Sequence, residues 1–326
     1  MNFRIFILIF IFSISCDSPK SNYTPKSSGN INTLTVVMEN SLWESSVGDV
    51  VRESFASEFL GLPQQEPIFS LKQMPFEAFS GFTRESRNIL LIKKSNKVNF
   101  ALEKDKYARP QSTAIITGPS NEVLEEKIKL NKEKIISEIK KNEIKEKQRR
   151  IKISKLEEND LSSLLSIGLI MPSAYKIFKK GKDKIIWIQR ETDKGTVNIL
   201  AYELSESSFL KTNTLKSIIK LRDSIGKVFI PGRNKGSYML TEEAYEPYVK
   251  KTKVGGKEAV ETRGTWELKN DFMAGPFLNY IIKDKENKRT LVLEGFVFSP
   301  SSKKRDLIFE LEAVFRSLKI YKKKDN

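Results

Sequence analysis

The sequence lacks histidine entirely and contains a single cysteine among its 326 residues. Without histidine, the chain cannot build a Ser-His-Asp triad, a histidine general base or a histidine-ligated metal site. Any catalysis would have to use carboxylates, lysine, tyrosine or a Ser-Lys arrangement. An oxygen-ligated metal site on carboxylates stays possible by composition, but no motif marks one, and we predict no metal site and no other cofactor.

The segment that ends at the cysteine has the pattern of a lipoprotein signal sequence. Arg4 provides a positive charge, residues 5–12 are all apolar, and residues 13–15 read Ser-Ile-Ser directly before Cys16. This order resembles a bacterial lipobox, in which the cysteine thiol receives a diacylglycerol and the cysteine becomes the new N-terminus. We therefore predict a signal peptide over residues 1–15 and lipidation of Cys16. An acylated thiol cannot act as a nucleophile or a zinc ligand.

Two other interpretations of this segment fit less well. An uncleaved membrane helix would need roughly 20 apolar residues. A plain signal peptide would leave an unpaired thiol in an oxidising compartment, which secreted proteins usually avoid. Residues 17–32 are polar and rich in Ser, Pro and Asn, so residues 16–32 are predicted to be the lipidated cysteine and a flexible tether. No acidic cluster follows Cys16, and we expect a lipid-anchored envelope protein at the outer membrane, facing the periplasm.

The overall charge is strongly basic, with 57 Lys and Arg against 41 Asp and Glu and a formal net charge of +16. Such a balance often indicates nucleic-acid binding, but an exported protein does not normally meet nucleic acid, and no nucleic-acid partner is expected. We favour compositional bias, because Lys, Ile and Asn are abundant throughout, as in A/T-rich genomes. The alternative is attraction to anionic lipid head groups or acidic glycans near the anchor. The expected partners are the bilayer, through Cys16, and an envelope protein or anionic glycan or lipid head groups.

The spacing of apolar residues predicts an α+β protein of two related units, each an antiparallel sheet covered by helices on one face. The first unit is assigned to residues 33–156. It is predicted to begin with a strand over Thr33–Met38 and a helix with a capping box at Ser41–Glu44. A long, charged helix from Asn121 to about Lys155 is predicted to end it. The strands between these helices are expected at 68–72, 88–93, 97–102 and 112–117.

The second unit is assigned to residues 157–326 and is predicted to repeat the order of the first. A strand over Ser166–Pro172 and a helical turn over Ser173–Phe178 are expected at its start. An insertion is expected from Gly226 to about Val254. The other elements are helices around 212–225 and 302–318 and strands at 184–190, 196–202, 258–267, 276–283 and 291–298.

Three blocks in the second unit combine charge, aromatic side chains and turn residues. They are Arg263-Gly-Thr-Trp266, Phe272-Met-Ala-Gly-Pro-Phe277 and Gly295-Phe-Val-Phe-Ser-Pro300. The blocks and their spacing resemble the uncharacterised Bacteroidota lipoprotein family filed as domain of unknown function 4837, over about Leu34 to Lys319. Thr265 and Ala274 depart from the family pattern without unsettling the resemblance. It implies an envelope lipoprotein and brings no established activity or catalytic residue.

Charged and aromatic side chains of the second unit are the candidates for a ligand or partner groove. They are Trp187, Arg190, Glu191, Arg222, Asp223, Arg263, Trp266, Glu267 and Asp271. A structural explanation is favoured for the charged members, in which arginines form ion pairs that hold the insertion against the sheet. The arginines are Arg190, Arg222 and Arg263, and their expected partners are Glu191, Asp223 and Glu267.

The favoured function is a membrane-anchored, non-enzymatic binding or assembly module. The alternative is a carboxylate-based hydrolase acting on envelope glycan. Its candidate carboxylates are Glu191, Asp223, Glu267 and Asp271, but nothing in their spacing marks a pair at the separation that glycoside hydrolysis needs. No residue is therefore assigned a catalytic role.

Overall fold

The computed structural model describes residues 24–157, 160–182, 184–212 and 214–323. The predicted signal peptide and the predicted lipidation site, Cys16, lie outside the described residues. Both therefore stay predictions.

The first unit is a five-stranded sheet with helices packed against it. Its elements are β1 (Thr33–Val37), α1 (Asn40–Trp43), α2 (Ser46–Phe55), β2 (Ser70–Met74), β3 (Asn88–Lys94), β4 (Asn99–Lys104), β5 (Ser112–Gly118) and α3 (Asn121–Ile153). The strand order is β2-β1-β3-β5-β4. Neighbouring strands run parallel except for β4, which is antiparallel to β5.

The second unit is built on an eight-stranded antiparallel sheet. Its elements are α4 (Leu161–Leu165), β6 (Ile167–Gly168), β7 (Lys176–Lys180), β8 (Ile185–Thr192), β9 (Gly195–Ser205), α5 (Ser208–Lys211), α6 (Leu215–Phe229), β10 (Met239–Thr241), β11 (Tyr248–Val254), β12 (Lys257–Leu268), β13 (Ala274–Asp284), β14 (Arg289–Phe298), α7 (Arg305–Phe315) and β15 (Lys319–Ile320). The order is β10-β12-β13-β14-β9-β8-β7, with β11 also paired to β12, and β6 and β15 form a separate two-stranded sheet.

The α+β class is confirmed, but the prediction of two related antiparallel units is wrong for the first unit. Its central strands are parallel, and α2 lies in the connection between the parallel neighbours β1 and β2. Strands such as β3 are buried on both faces, since Leu90 and Ile92 belong to one core and Ile89 and Leu91 to another. Such continuous apolar runs are typical of parallel strands. The two units therefore differ in sheet topology.

Two local predictions, one near the start of each unit, are also wrong. No capping box forms at Ser41–Glu44; instead the chain breaks into α1 and α2, and the Ser45 hydroxyl accepts a hydrogen bond from Val47 N at the start of α2. In the second unit, the strand predicted at Ser166–Pro172 shrinks to β6. The helical turn predicted at Ser173–Phe178 is reduced to a tight turn, in which Tyr175 N donates to Pro172 O at 3.2 Å. The rest of the predicted range belongs to β7, an edge strand paired with β8.

The predicted insertion adds strands to one edge of the larger sheet. It does not begin at Gly226, because that residue lies inside α6, where a Cβ would stand 2.2 Å from the Met239 carbonyl oxygen. After α6 the chain forms β10 and β11, and both pair with the outer edge of β12. A two-residue turn at Gly255 and Gly256, both with positive φ, then joins β11 to β12.

The two faces of the larger sheet carry different cores. On one face, α7 and α3 pack between the two sheets, and this core draws buried residues from both units, among them Ile128, Ile139 and Leu311. On the opposite face, α6 covers a second core that includes Ile218 and Phe296. Because the central strands are covered on both faces, some of their polar side chains form buried pairs, such as Asn279 with Glu294 at 3.0 Å.

The residues just before β1 are hydrogen-bonded to the first unit, so any tether is shorter than predicted. Arg109 N donates to Pro25 O at 2.8 Å, and Ser28 N donates to Glu85 O at 2.8 Å. Arg87 donates to the Gly29 carbonyl oxygen at 3.2 Å. The prediction of a flexible tether that extends to Asn32 is therefore wrong over residues 24–32.

Candidate functional site

The predicted groove residues do not line one groove, because successive strand residues point to opposite faces of the larger sheet. Trp187 and Trp266 are buried in the core beneath α6, and Arg222 of α6 points into the same region. Arg190 and Arg263 project from the other face and contact α7. The prediction of a single site containing all of these residues is wrong.

The acidic members of the predicted set lie at the surface or at its margin. Glu191 is exposed, and Glu267 and Asp271 are partly exposed. Asp223 accepts hydrogen bonds from both Thr241 N and the Thr241 hydroxyl at 2.8 Å, which fastens β10 to α6. None of these carboxylates faces another across a cleft in the described residues.

All three predicted arginines form ion pairs, but mostly with acids that sequence reasoning did not nominate. Arg190 pairs with Glu310 at 2.7 Å, Arg222 with Glu294 at 3.0 Å, and Arg263 with Glu261 at 2.7 Å and Glu312 at 2.6 Å. Of the expected pairs, only Arg222 and Asp223 come within range, at 3.8 Å. The sequence marks these glutamates only as charges that interrupt apolar stretches of β12, β14 and α7, and it does not show which arginine each of them meets.

A groove with a volume of about 870 Å³ lies between α3 of the first unit and the β11–β12 hairpin of the second. Its lining includes six basic and four acidic side chains, so its formal charge is +2. The basic residues are Lys140, Lys141, Lys145, Lys250, Arg263 and Arg316, and the acidic ones are Glu58, Glu133, Glu261 and Glu312. Of the residues nominated from sequence, only Arg263 lines it.

The floor of the groove is a closed network of charges. Glu312 accepts from Arg263 Nη2 at 2.6 Å and from Arg316 Nε at 2.9 Å. Glu261 accepts from Arg263 Nε at 2.7 Å and from the Tyr280 hydroxyl at 2.8 Å. Lys250 adds an ion pair to Glu261 at 3.1 Å. Each floor carboxylate is thus neutralised by arginine.

The electrostatics keep these floor carboxylates ionised. Burial by itself raises the pKa of Glu312, but the Arg263 and Arg316 guanidiniums outweigh it and hold that pKa well below its ordinary range. Burial also raises the pKa of Glu261, and Arg263 together with Lys250 reverses the effect, so that this pKa is lowered as well. A general acid needs a carboxyl group that keeps its proton near neutral pH. The floor of the groove supplies none.

The α3 side of the groove carries lysines of a different kind. Lys140 is half-buried, and Lys141 and Lys145 are exposed beside it. Within the described part of the chain, none of the three forms a hydrogen bond or an ion pair. Burial lowers the pKa of Lys140, and the nearby Glu312 only partly opposes this shift. A half-buried ammonium that forms no ion pair is a natural contact point for an anionic group.

Groups suited to other chemistry are absent from the part of the chain that the structure describes. Residues 24–157, 160–182, 184–212 and 214–323 contain no group of three or more His, Cys, Asp or Glu side chains that could hold a metal ion. The same ranges contain no helix long and apolar enough to cross a membrane.

Glu267 lies beside a second carboxylate rather than an arginine. It pairs with Leu240 across the β10–β12 ladder, two residues before Glu242. A hydrogen bond to Glu242 raises the pKa of Glu267, with smaller contributions from burial and from the negative charges of Glu242 and Glu243. The two carboxyl groups are in contact, whereas the acid pair of a glycosidase stands about 5 Å or more apart. The expected ion pair of Glu267 with an arginine is not formed.

We therefore expect Glu267→Gln to leave the free energy of unfolding within about 0.5 kcal/mol of the parent value at pH 7. The substitution removes a like-charge contact at a partly exposed site, so any shift should be toward higher stability. Thermal unfolding of the two proteins at pH 7 measures it, with Glu191→Gln as a control for the loss of one exposed carboxylate. A fall of several degrees in Tm would show that Glu267 has a cationic partner after all.

The family assignment comes from comparison with known proteins. The chain belongs to the family described as Domain of unknown function (DUF4837), whose model matches residues 154–317. A second model, Domain of unknown function (DUF8532), matches residues 27–152. The resemblance seen in the sequence is thus confirmed for the second half, whereas the first half matches a separate domain model. The two matched regions meet at the end of α3.

Other comparisons give little more. No curated protein matches the chain. A crystal structure from Bacteroides thetaiotaomicron VPI-5482 is 13% identical with a TM-score of 0.28 and covers 48% of this chain and 45% of that chain. LpqN, involved in cell envelope biogenesis of Mycobacterium tuberculosis, is 11% identical with a TM-score of 0.28 and covers 47% of this chain and 81% of that chain. Likenesses of this strength carry no argument about function.

Proposed function

We propose that this protein is a lipid-anchored component of the cell envelope, held at the outer membrane through Cys16, and that its folded part is a non-catalytic binding module. The groove between α3 and the β11–β12 hairpin is its binding site, and the ligand is an anionic group of an envelope partner. The observation that carries the proposal is the row of unpaired lysines on α3, with half-buried Lys140 at its centre, above carboxylates that are already neutralised.

The arrangement of charge favours binding over hydrolysis. The floor carboxylates, Glu261 and Glu312, are bound by arginines and have lowered pKa values. The remaining carboxylates of the lining, Glu58 and Glu133, are exposed to solvent. A hydrolase would need one carboxyl group with a raised pKa facing a second one across the substrate. The lysines, in contrast, attract an anion without any further chemistry.

We expect a photo-crosslinking amino acid at Ser137 to capture the ligand in cells that make the full, lipid-anchored chain. Ser137 is exposed and lies in the groove lining. Glu126 is the matched control position, because it is exposed on the same helix but lies outside the lining. The expected result is an adduct at Ser137 that is absent at Glu126. Digesting the adduct with protease or with glycosidase distinguishes an acidic protein segment from an acidic glycan.

Charge reversal tests whether the α3 lysines bind the ligand. Lys141→Glu with Lys145→Glu should remove the adduct at Ser137, and these exposed side chains can be replaced without breaking an ion pair. The control is Lys129→Glu with Lys132→Glu, which changes the net charge of α3 equally but lies away from the groove. Equal loss in both double variants, or no loss in either, would contradict the proposed site.

A further inference from the structure

Two loops form a rigid tip at one end of the larger sheet. One is the segment 231–238 after α6, and the other is the turn 269–273 between β12 and β13. Lys269 N donates to Tyr238 O at 2.9 Å, and Asn234 Nδ2 donates to Asn270 O at 3.2 Å. We call these two segments the tip.

The tip holds one large apolar side chain fully in solvent. Phe272 is completely exposed. Its backbone is held in place, because Phe272 N donates to Asp271 Oδ1 at 2.8 Å and Arg233 Nη2 donates to the same oxygen at 3.2 Å. Val228, in the last turn of α6 just before the tip, is also 81% exposed. A held, exposed phenylalanine is a feature of surfaces that contact an apolar phase or a partner.

The side chains around Phe272 are basic. Lys227 and Lys269 lie over the Tyr238 ring, with their ammonium groups 5.8 and 5.6 Å from its centroid. Arg233 and Lys235 are exposed in the 231–238 segment of the tip. The nearby acid, Asp271, is occupied by Arg233, whose hydrogen bond lowers the pKa of that carboxyl. The tip therefore presents an apolar point surrounded by positive charge.

The start of α7 connects the end of the larger sheet that carries the tip with Asn32, just before β1. The register pairs Phe277 with Phe296, so β14 ends beside the start of β13 and next to the tip. α7 starts a short loop later, and Asn32 Nδ2 donates to Asp306 Oδ1 in its first turn at 3.1 Å. Asn32 thus lies near the beginning of α7, whereas the residues before it contact the first unit, with Pro25 beside Arg109.

The distance to the proposed anchor is short. Cys16 and Thr24, the first described residue, are eight positions apart in the sequence. At 3.3–3.6 Å per residue, this stretch spans at most about 29 Å. A lipid on Cys16 would therefore keep the folded part of the protein close to the bilayer.

We infer that the tip docks on an anionic bilayer surface, with Phe272 at the level of the lipid head groups and with Lys227, Arg233, Lys235 and Lys269 against the lipid phosphates. The inference rests on the proposed lipid anchor, which would keep the folded part near the bilayer but would not fix its orientation. The bilayer is favoured as the occupant because a basic rim around an apolar point matches its negative surface and apolar interior. Docking would hold the folded part in a fixed orientation on the membrane.

The test uses the lipidated full chain in vesicles that contain either phosphatidylglycerol with phosphatidylcholine or phosphatidylcholine alone. Because acylation blocks the native thiol, Phe272→Cys and Lys285→Cys each provide one site for a fluorophore. Lys285 is exposed in the β13–β14 turn, at the opposite end of the sheet. We expect a lipid-attached quencher to reduce fluorescence at position 272 several-fold more than at 285, and only in the anionic vesicles. Lys235→Glu with Lys269→Glu should remove the difference.

The outcomes separate this inference from the proposed function. If the chain washes off the vesicles in high salt, the lipid anchor is absent and the proposed function fails on that point. If the chain stays bound but quenching at 272 equals that at 285, docking of the tip is refuted while the anchor stands. Shielding of position 272 only in native membranes, and not in protein-free vesicles, would assign the tip to a protein partner and likewise refute bilayer docking.

Discussion

Glu312→Gln is expected to lower the free energy of unfolding by about 3–5 kcal/mol, the usual cost of breaking a buried ion pair from one side. Glu312 is buried on α7 and accepts from Arg263 at 2.6 Å and from Arg316 at 2.9 Å. The amide keeps the size of the side chain but leaves two guanidiniums without their shared negative charge. Since α7 packs between the two sheets, the loss of this ion pair should weaken the contact between the two units.

Thermal and denaturant unfolding at pH 7 measure this effect, with Glu133→Gln as the matched control. Glu133 lines the same groove but is exposed, so its substitution should change stability by less than about 0.5 kcal/mol. A Glu312→Gln protein as stable as the control would show that the network at the floor of the groove does not hold the fold together.

The pH dependence gives a second check on the same variant. The pKa of Glu312 is held below its ordinary range in the folded protein. Its stabilisation is therefore complete above the pKa of an unfolded glutamate, about 4.3, and is lost as the pH falls toward the lower folded value. The gap in stability between the parent protein and Glu312→Gln should thus narrow as the pH falls below about 4. A gap that is independent of pH would point to packing rather than charge.

Cys16→Ser is expected to abolish lipid attachment, leaving an unprocessed precursor or a species released from the membrane. The reason is that no other cysteine exists to accept the diacylglycerol, and the apolar run before it is too short to span a bilayer. Metabolic labelling with radioactive palmitate, followed by membrane fractionation, measures both effects. The expected loss of label is complete.

A second substitution in the same segment separates lipidation from general damage to the leader. Ser15→Ala keeps a small residue directly before Cys16 and should retain both label and membrane recovery. Unchanged labelling of Cys16→Ser would end the lipoprotein interpretation, whatever the groove binds.

The local patterns of three consecutive strands in the second unit predicted the structure closely. Predicted strands at 258–267, 276–283 and 291–298 correspond to β12, β13 and β14 within two residues at each end. Their apolar and β-branched residues pair in consecutive antiparallel hairpins, so each strand depends mainly on its sequence neighbours. The long helix α3 was equally predictable, because apolar residues such as Ile128, Ile135 and Ile139 recur at helical spacing.

Strand direction in the first unit and the identity of the ion pairs were not predictable in this way. Arg190 pairs with Glu310, 120 positions further along the chain, and Arg87 pairs with Glu143, 56 positions further along. Sequence reasoning selected nearby acids for the arginines, since adjacency is the only proximity that a sequence displays. A buried guanidinium pairs with the carboxylate that the packing of α7 or α3 places beside it.

The sequence by itself determined the chemical limits of this protein: no histidine chemistry, a predicted lipid anchor at Cys16, an α+β body and membership of the family over residues 154–317. Only the tertiary structure decided where a ligand could bind. The groove combines lysines of α3 with Arg263 and Lys250, which are more than 100 positions away in the chain. It exists because burying the apolar faces of α3 and α7 between two sheets brings these charges together, and local periodicity contains no information about such contacts.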